Sequence, residues 1–217
     1  MTRIKPTIAE QLNAAGLAIE NSRSDAEIAG LVAGFGYNAE KLAEGSALLA
    51  AAQAALIAQE RATGAQRAAS EALVEARTHA TDAYQALAKV ARAVAKPSQL
   101  SGLGLDGHMP RSTAGFLTAA TTLFENARTV ELLADYGYTV EKLSAERQKI
   151  EAYRAANGRQ EAAKGAAQQA TSEQNAALQA LNKWAAQYIK IARVALRKKP
   201  QLLEKLGVTV RTTSSAK

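Results

Sequence analysis

The sequence has no cysteine, two histidines and four prolines in 217 residues, and only 5% of its residues are aromatic. Without cysteine there is no disulfide scaffold, no thiol nucleophile and no iron–sulfur site. The two histidines, His79 and His108, are too few for a His-rich metal site. No apolar run reaches about 18 residues, so we expect no transmembrane segment. Met1 to Pro6 also lack the apolar stretch of a secretory signal, and we therefore expect a cytoplasmic location.

A repeated unit is the main feature that the sequence does contain. The segment from Gly36 to Leu42 recurs from Gly137 to Leu143, and both have the pattern Gly-Tyr-x-x-Glu-Lys-Leu. The same offset aligns Lys89-Val90-Ala91-Arg92 with Lys190-Ile191-Ala192-Arg193. A repeat that spans the chain in this way indicates a tandem duplication. We predict two helical copies, residues 1–105 and residues 106–217.

Each copy is predicted to consist of a short helix followed by a long one. From Asn38 to Ala95 there is no proline, and the strong helix formers Ala, Glu, Gln, Leu, Lys and Arg dominate. Gly36 and Gly137 precede the two long helices, where a glycine can end the short helix in a left-handed conformation. The predicted fold class is therefore all-α, an elongated antiparallel helical bundle that arose by tandem duplication.

The middle of each long helix allows two interpretations. Gly64 and Gly165 could be the tips of helical hairpins, and the chain would then form two three-helix, spectrin-like bundles. They could instead lie inside continuous helices that cross where small residues allow close approach. Ala65 and Ala166, which follow the glycines, are poor N-cap residues, whereas glycine within a helix costs only about 1 kcal/mol. We therefore predict continuous helices that cross near Gly64 and Gly165.

Two local patterns add detail to this architecture. The pattern Ser24-Asp25-Ala26-Glu27 resembles a capping box and predicts a break of the first helix near Asn21 to Arg23. Each long helix also has an apolar stripe at alternating spacings of three and four, typical of a helix packed along another. The stripes are Leu73, Ala76, Ala80, Ala83, Leu87, Val90 and Val94 in copy one, and Ala177, Leu181, Trp184, Tyr188, Ile191 and Ala195 in copy two.

The sequence offers little support for catalysis. A di-iron bundle needs paired Glu-x-x-His motifs, but Glu75 and His79 are four residues apart, and Ala180 takes the place of His79 in copy two. Nucleotide-binding glycine motifs and the Gly-x-Ser-x-Gly nucleophile motif are absent from the sequence. We therefore expect no catalytic residue, no metal and no cofactor, and we predict that the protein is not an enzyme.

Positive charge is concentrated near one end of the chain. From Lys183 to Lys217 there are nine basic residues and one acidic residue, Glu204, whereas the whole chain carries a net charge of only +7. Such residues can bind the phosphates of nucleic acid or anionic lipid. Cations near the end of a helix also complement its macrodipole, so helix capping and solubility are the competing interpretation. The candidate polyanion-binding residues are Lys89, Arg92, Lys96, Lys190, Arg193, Arg197, Lys198 and Lys199.

The end of each copy carries a family resemblance. Leu103-Gly104, and Pro200-Gln201-Leu202-Leu203 with Leu206-Gly207, resemble the endings of a family of uncharacterised bacterial tandem-duplicated all-helical proteins. The Gly-Tyr-x-x-Glu-x-Leu openings and the glycine in each long helix are similar as well. The resemblance covers most of the chain and implies the fold, but the family has no known activity. Its members are acidic before the Pro-Gln-Leu-Leu segment, and Arg197-Lys198-Lys199 departs from that pattern.

These observations favour a non-catalytic structural or interaction protein. Alanine-rich helices bury little area per residue, so leftover apolar residues such as Leu48, Leu49, Leu56 and Ile57 would favour self-association. The alternative for these residues is that they face the short helix of their own copy. We predict a helical rod that forms a homo-oligomer or larger assembly, or that scaffolds partners. The alternative function is binding to a polyanionic surface, such as nucleic acid, an anionic membrane or a storage granule.

Overall fold

The computed structural model describes residues 6–209, and Arg211 and Lys217 of the predicted basic segment lie outside this range. Of the described residues, 82% are helical and none is in a strand, which confirms the all-α class. The helices in this range are α1 (Ile8–Ser24), α2 (Ala26–Ala33), α3 (Ala39–Val94), α4 (Pro97–Gly102), α5 (Thr113–Ala127), α6 (Leu132–Asp135), α7 (Val140–Ala195) and α8 (Pro200–Lys205).

The two long helices are continuous. Helices α3 and α7 each have 56 residues, and they pass through Gly64 and Gly165 without interruption. A chain turn at either glycine, which the spectrin-like alternative requires, is therefore contradicted. Helix formers on both sides of each glycine offset the cost of about 1 kcal/mol that glycine adds within a helix.

The predicted reason for these two glycines is wrong. Gly64 and Gly165 are exposed, and a Cβ built on either would meet no other atom within 4 Å. A helix crossing that depends on glycine would bring a second backbone into that space. Neither glycine therefore provides room for a close helix contact, and nothing in the structure explains why glycine stands at these positions.

The break in the first short helix lies close to its predicted position, but its cap is different. Helix α1 ends at Ser24, and Asp25 is the N-cap of α2, where its carboxylate accepts hydrogen bonds from the backbone N–H groups of Glu27 and Ile28. Ser24 instead donates its hydroxyl to the carbonyl of Glu20. The predicted capping box at Ser24 is therefore wrong by one residue, because Asp25, as good an N-cap residue as serine, occupies the cap.

The described residues divide into two compact units. Unit 1 contains residues 6–62 and 167–209, and unit 2 contains residues 63–166. These units do not coincide with the two sequence copies, because each long helix contributes one part to each unit. The predicted copies, residues 1–105 and 106–217, describe a duplication of the sequence and not compact units of the structure. The duplication stays a prediction.

The core of unit 1 combines α1 and α2 with the first part of α3, the last part of α7, and α8. Its fully buried residues include Ile19, Ile28, Leu181, Tyr188 and Leu196. All members of the predicted copy-two stripe are buried in this core or packed against it. The buried side of this helix was therefore predicted correctly from its periodicity.

The core of unit 2 combines the last part of α3 with α5, α6, the first part of α7 and the residues after α4. Its fully buried residues include Leu87, Leu103, Phe124, Leu133 and Ile150. The copy-one stripe belongs to this core in full, with Ala80, Ala83 and Leu87 buried and the remaining members packed against it. This confirms the predicted buried side of α3.

Glycine ends the short elements at corresponding positions of the two predicted copies. Gly36 and Gly137 have φ values of 87° and 82°, and Gly104 and Gly207 have values of 71° and 74°. Side chains with a Cβ rarely adopt this conformation, so glycine is required at these turns. The predicted role of Gly36 and Gly137 in ending the short helices is confirmed.

Candidate functional site

The candidate polyanion-binding residues are all exposed, but they belong to different units. Lys89, Arg92 and Lys96 lie in unit 2, where α3 ends. The other five lie in unit 1, on the last turns of α7 and immediately after them: Lys190, Arg193, Arg197, Lys198 and Lys199. The repeat in the sequence relates the two sets of residues to each other. In the structure, each set lies near the end of a different long helix.

Two cations of the basic segment are paired with acids from the α1–α2 junction. The ammonium of Lys199 binds the carboxylate of Glu27, and the Lys205 Nζ lies 2.7 Å from Asp25 Oδ2. The hydrogen bond from Lys205, and after it the hydrogen bond from the N–H of Ile28, lowers the pKa of Asp25. Asp25 in turn raises the pKa of Lys205. Part of the charge in this segment is therefore compensated by residues distant in the sequence.

Unit 2 contains a cavity of about 610 Å³ beside two of the predicted cations. Its lining includes Tyr84, Lys89, Arg92, Asp106, His108 and Met109. Helix α3 supplies the first three of these residues, and the loop after α4 supplies the last three. This cavity therefore combines two cationic side chains with a mostly buried tyrosine, a combination suited to an organic anion.

Hydrogen bonds and burial hold the loop that lines this cavity. The Leu105 N–H donates to the carbonyl of Leu100 at 3.0 Å, and the Ser101 hydroxyl donates to Asp106 Oδ2 at 2.8 Å. Leu105 itself is buried in the core of unit 2. The side chain of Asn126 also donates to the Gly102 carbonyl, at 2.7 Å. Sequence reasoning missed this cavity because the loop gave no motif.

Unit 1 contains a related cavity of about 470 Å³. It is lined by Lys190 and Arg193, which match Lys89 and Arg92 in the repeat, together with Glu10, Ala185, Ile189 and Val208. The repeat places Ala185 where copy one has Tyr84. The two cavities thus share a Lys-x-x-Arg pair on a long helix, but only the cavity of unit 2 has an aromatic ring.

The histidine that the sequence pointed to lies at a smaller cavity. His79 and Glu75 line a space of about 160 Å³ in unit 2 with Lys149. Among residues 6–209, no group of three or more His, Asp or Glu side chains is placed to hold a metal ion. The expectation that the protein is not an enzyme stays a prediction.

An uncharged helical surface is the other notable feature of unit 1. The residues that form it, here called the α3 apolar face, are the exposed Ala43, Ala47, Ala50, Ala54, Ile57 and Ala58. Ile57 is 48% exposed, whereas Leu48 and Leu49 pack against the core of unit 1. The leftover apolar residues of the sequence therefore divide between the core and the surface.

The same stretch of α3 bears on the predicted absence of a transmembrane segment. Within the described range, α3 has an 18-residue window with a mean hydropathy of 1.2, of which 17% is buried. By length and composition alone, this helix could cross a membrane, but core helices pass the same test. The absence of a transmembrane segment stays a prediction.

Comparison with protein-family models, curated proteins and solved structures gives no match. The resemblance to uncharacterised bacterial helical proteins therefore stays a prediction.

Proposed function

We propose that the protein is a non-catalytic structural or interaction protein that self-associates through the α3 apolar face. The observation that carries this proposal is a difference between the two copies. From Gly45 to Gln59, α3 has no charged residue, whereas the matching stretch of α7, Glu146 to Gln160, has six.

The matching face of α7 carries the polar and charged residues that are typical of a helix surface exposed to water. Where α3 has Ala47, Ala50 and Ala58, α7 has Gln148, Glu151 and Arg159, and these residues are exposed as well. Exposure alone therefore does not account for the alanines of α3. A contiguous exposed apolar surface is typical of an interaction site.

A second copy of the same chain is the partner that suits this face. The face offers no charge to attract a charged partner, and an uncharged apolar helix surface is complementary to itself. Two copies related by a twofold axis would bury the same patch on both sides, as in most homodimers. Small side chains would also let the two helices approach closely.

Crosslinking can test the location of this contact, because the chain has no natural cysteine. We would prepare Ala54→Cys on the α3 apolar face and Ala155→Cys at the matching, also exposed, position of α7. A bismaleimide crosslinker should join Ala54→Cys chains into dimers and leave Ala155→Cys largely as monomer. Equal yields of dimer, or none from Ala54→Cys, would contradict the proposed contact.

Binding to a polyanion is a second candidate, favoured by the exposed cations of unit 1. Arg193, Arg197 and Lys198 make no ion pair with any residue in the range 6–209, unlike Lys199. Double-stranded DNA should then bind much less tightly as salt rises from about 50 to 200 mM. A double variant, Arg197→Gln with Lys198→Gln, should weaken binding more than Lys199→Gln, and equal effects would contradict this candidate.

A further inference from the structure

We propose that the cavity of unit 2 binds a small organic anion with an aromatic or aliphatic body. This proposal is independent of self-association, because the α3 apolar face and the cavity belong to different units. It rests on three observations: the charges at the cavity, the unpartnered hydroxyl of Tyr84, and the comparison with the cavity of unit 1.

Lys89 and Arg92 supply the recognition of the anionic group. They are three residues apart on α3, so their side chains extend from the same side of the helix. Neither makes an ion pair with another residue in the described part of the chain. A guanidinium and an ammonium side by side bind carboxylate or phosphate through charge-assisted hydrogen bonds.

Tyr84 supplies a fixed polar group at the wall of the cavity. Its side chain is only 4% exposed, and its ring packs edge-on against Phe116 at a centroid distance of 5.5 Å. Burial raises the pKa of Tyr84, although the charge of Arg92 acts in the opposite direction, so the hydroxyl keeps its proton at neutral pH. No hydrogen bond joins this hydroxyl to another residue within 6–209, and its oxygen is accessible from the cavity, so it is available to a ligand.

The remaining lining limits the ligand in size and charge. A cavity of about 610 Å³ falls in the range of small-molecule sites. Met109, which is 38% exposed, adds apolar surface beside Tyr84. Asp106 is the only carboxylate in the lining, so a ligand with one or two negative charges suits the site better than an extended polyanion.

The cavity of unit 1 provides an internal comparison. It has the same Lys-x-x-Arg pair, as Lys190 and Arg193. Ala185 stands where the cavity of unit 2 has Tyr84, and the carboxylate in its lining is Glu10 in place of Asp106. It therefore has the cations for an anionic group without the tyrosine beside them. We expect the cavity of unit 2 to bind aromatic anions more tightly.

Methionine NMR offers a direct test, because the chain has only two methionines, Met1 and Met109, and Met109 lines the cavity. The full chain with ¹³C-methyl methionine would be titrated with phenyl phosphate, benzoate and phenol. We expect saturable shifts of the Met109 methyl signal with the two anions and much weaker shifts with uncharged phenol. The anion that binds with the higher affinity indicates whether the natural ligand carries a phosphate or a carboxylate.

Matched variants assign the binding to the cations. Arg92→Gln and Lys89→Gln should each weaken phenyl phosphate binding about tenfold or more, the loss expected when a charged hydrogen-bond partner is removed. Arg193→Gln, at the corresponding place in unit 1, should leave the titration of Met109 unchanged. All three residues are exposed, so the folded state should persist, as circular dichroism can verify.

Three results would overturn the proposal. One is the absence of any Met109 shift with either anion. The second is a phenol titration equal to that of phenyl phosphate, which would mean that the cations contribute nothing. The third is an unchanged affinity in both Arg92→Gln and Lys89→Gln.

Discussion

Gly45 of α3 lies directly against the indole ring of Trp184 of α7 in the core of unit 1. A Cβ built on Gly45 would lie 2.7 Å from Cζ3 of Trp184 and nearer still to two other ring carbons. The indole also packs against Tyr37 and Tyr188, with centroid distances of 5.8 and 5.3 Å. The ring therefore has little freedom to move away, and position 45 requires glycine for reasons of space.

Gly45→Ala should consequently destabilise the protein. Alanine normally favours a helix over glycine by up to about 1 kcal/mol, but here its methyl group would overlap Trp184. Overpacking of this kind lowers the free energy of unfolding by about 1–3 kcal/mol. Urea unfolding followed by circular dichroism measures this change. An increase in stability would show that the indole ring can move aside at little cost.

Gly64→Ala and Gly165→Ala form the matched control, and they should have the opposite effect. Both glycines lie within continuous, exposed stretches of helix where a Cβ meets nothing. Each substitution should raise the free energy of unfolding by about 0.5–1 kcal/mol, because alanine is the better helix former. The same urea experiment applies, and clear destabilisation by either substitution would contradict the continuous helices.

The pairing of Asp25 with Lys205 predicts a dependence on pH. The pKa of Asp25 is lowered below its ordinary value of 3.8 by the hydrogen bond from Lys205, and then by the N–H of Ile28. A carboxyl group whose pKa is lowered in the folded state contributes stability above its unfolded pKa, and this contribution is lost as pH falls through the folded pKa.

Carbon-13 NMR of the Asp25 side-chain carboxyl can test this. In the wild type the titration midpoint should lie below 3.8, and in Lys205→Gln it should rise towards that value. Because Asp25 still caps α2 in the variant, the fold should be unaffected. Lys183→Gln, which removes an exposed cation elsewhere in unit 1, serves as the control. An equal midpoint in the wild type and Lys205→Gln would refute the assigned cause.

Much of the helical framework could be predicted from the sequence, because it depends on local chemistry. Helix formers between Asn38 and Ala95, the spacing of apolar residues and the turn glycines determine the long helices and their buried sides. The cap at Asp25 was misplaced by one residue because Ser24 and Asp25 are both good N-caps, and only the geometry distinguishes them.

The contacts between distant residues could not be predicted in the same way. The pair Lys199–Glu27 joins residues 172 positions apart, and no local pattern connects them. The role of Gly64 and Gly165 was inferred from composition, which does not reveal what lies opposite a glycine. The sequence did contain a signal for the contact between Gly45 and Trp184. Copy one has glycine and alanine at positions 45 and 83, whereas copy two has glutamate and tryptophan at 146 and 184.

The candidate cavity was partly visible in the sequence. The repeat identified Lys89 and Arg92 as a matched pair with Lys190 and Arg193, which the structure places at two related cavities. The sequence did not reveal that the loop with Asp106, His108 and Met109 lines the same cavity as the first pair. Loop placement depends on the burial of Leu103 and Leu105 against the core, which a search for motifs does not detect.

The central claim is self-association through the α3 apolar face, and the solution mass of the untagged protein tests it most directly. Light scattering on a sizing column would be recorded over a series of concentrations at moderate salt. We predict a mass that is a multiple of 22.8 kDa for the wild type and for Ala155→Glu, and a mass near 22.8 kDa for Ala54→Glu. A wild-type mass of 22.8 kDa at every concentration would contradict the account.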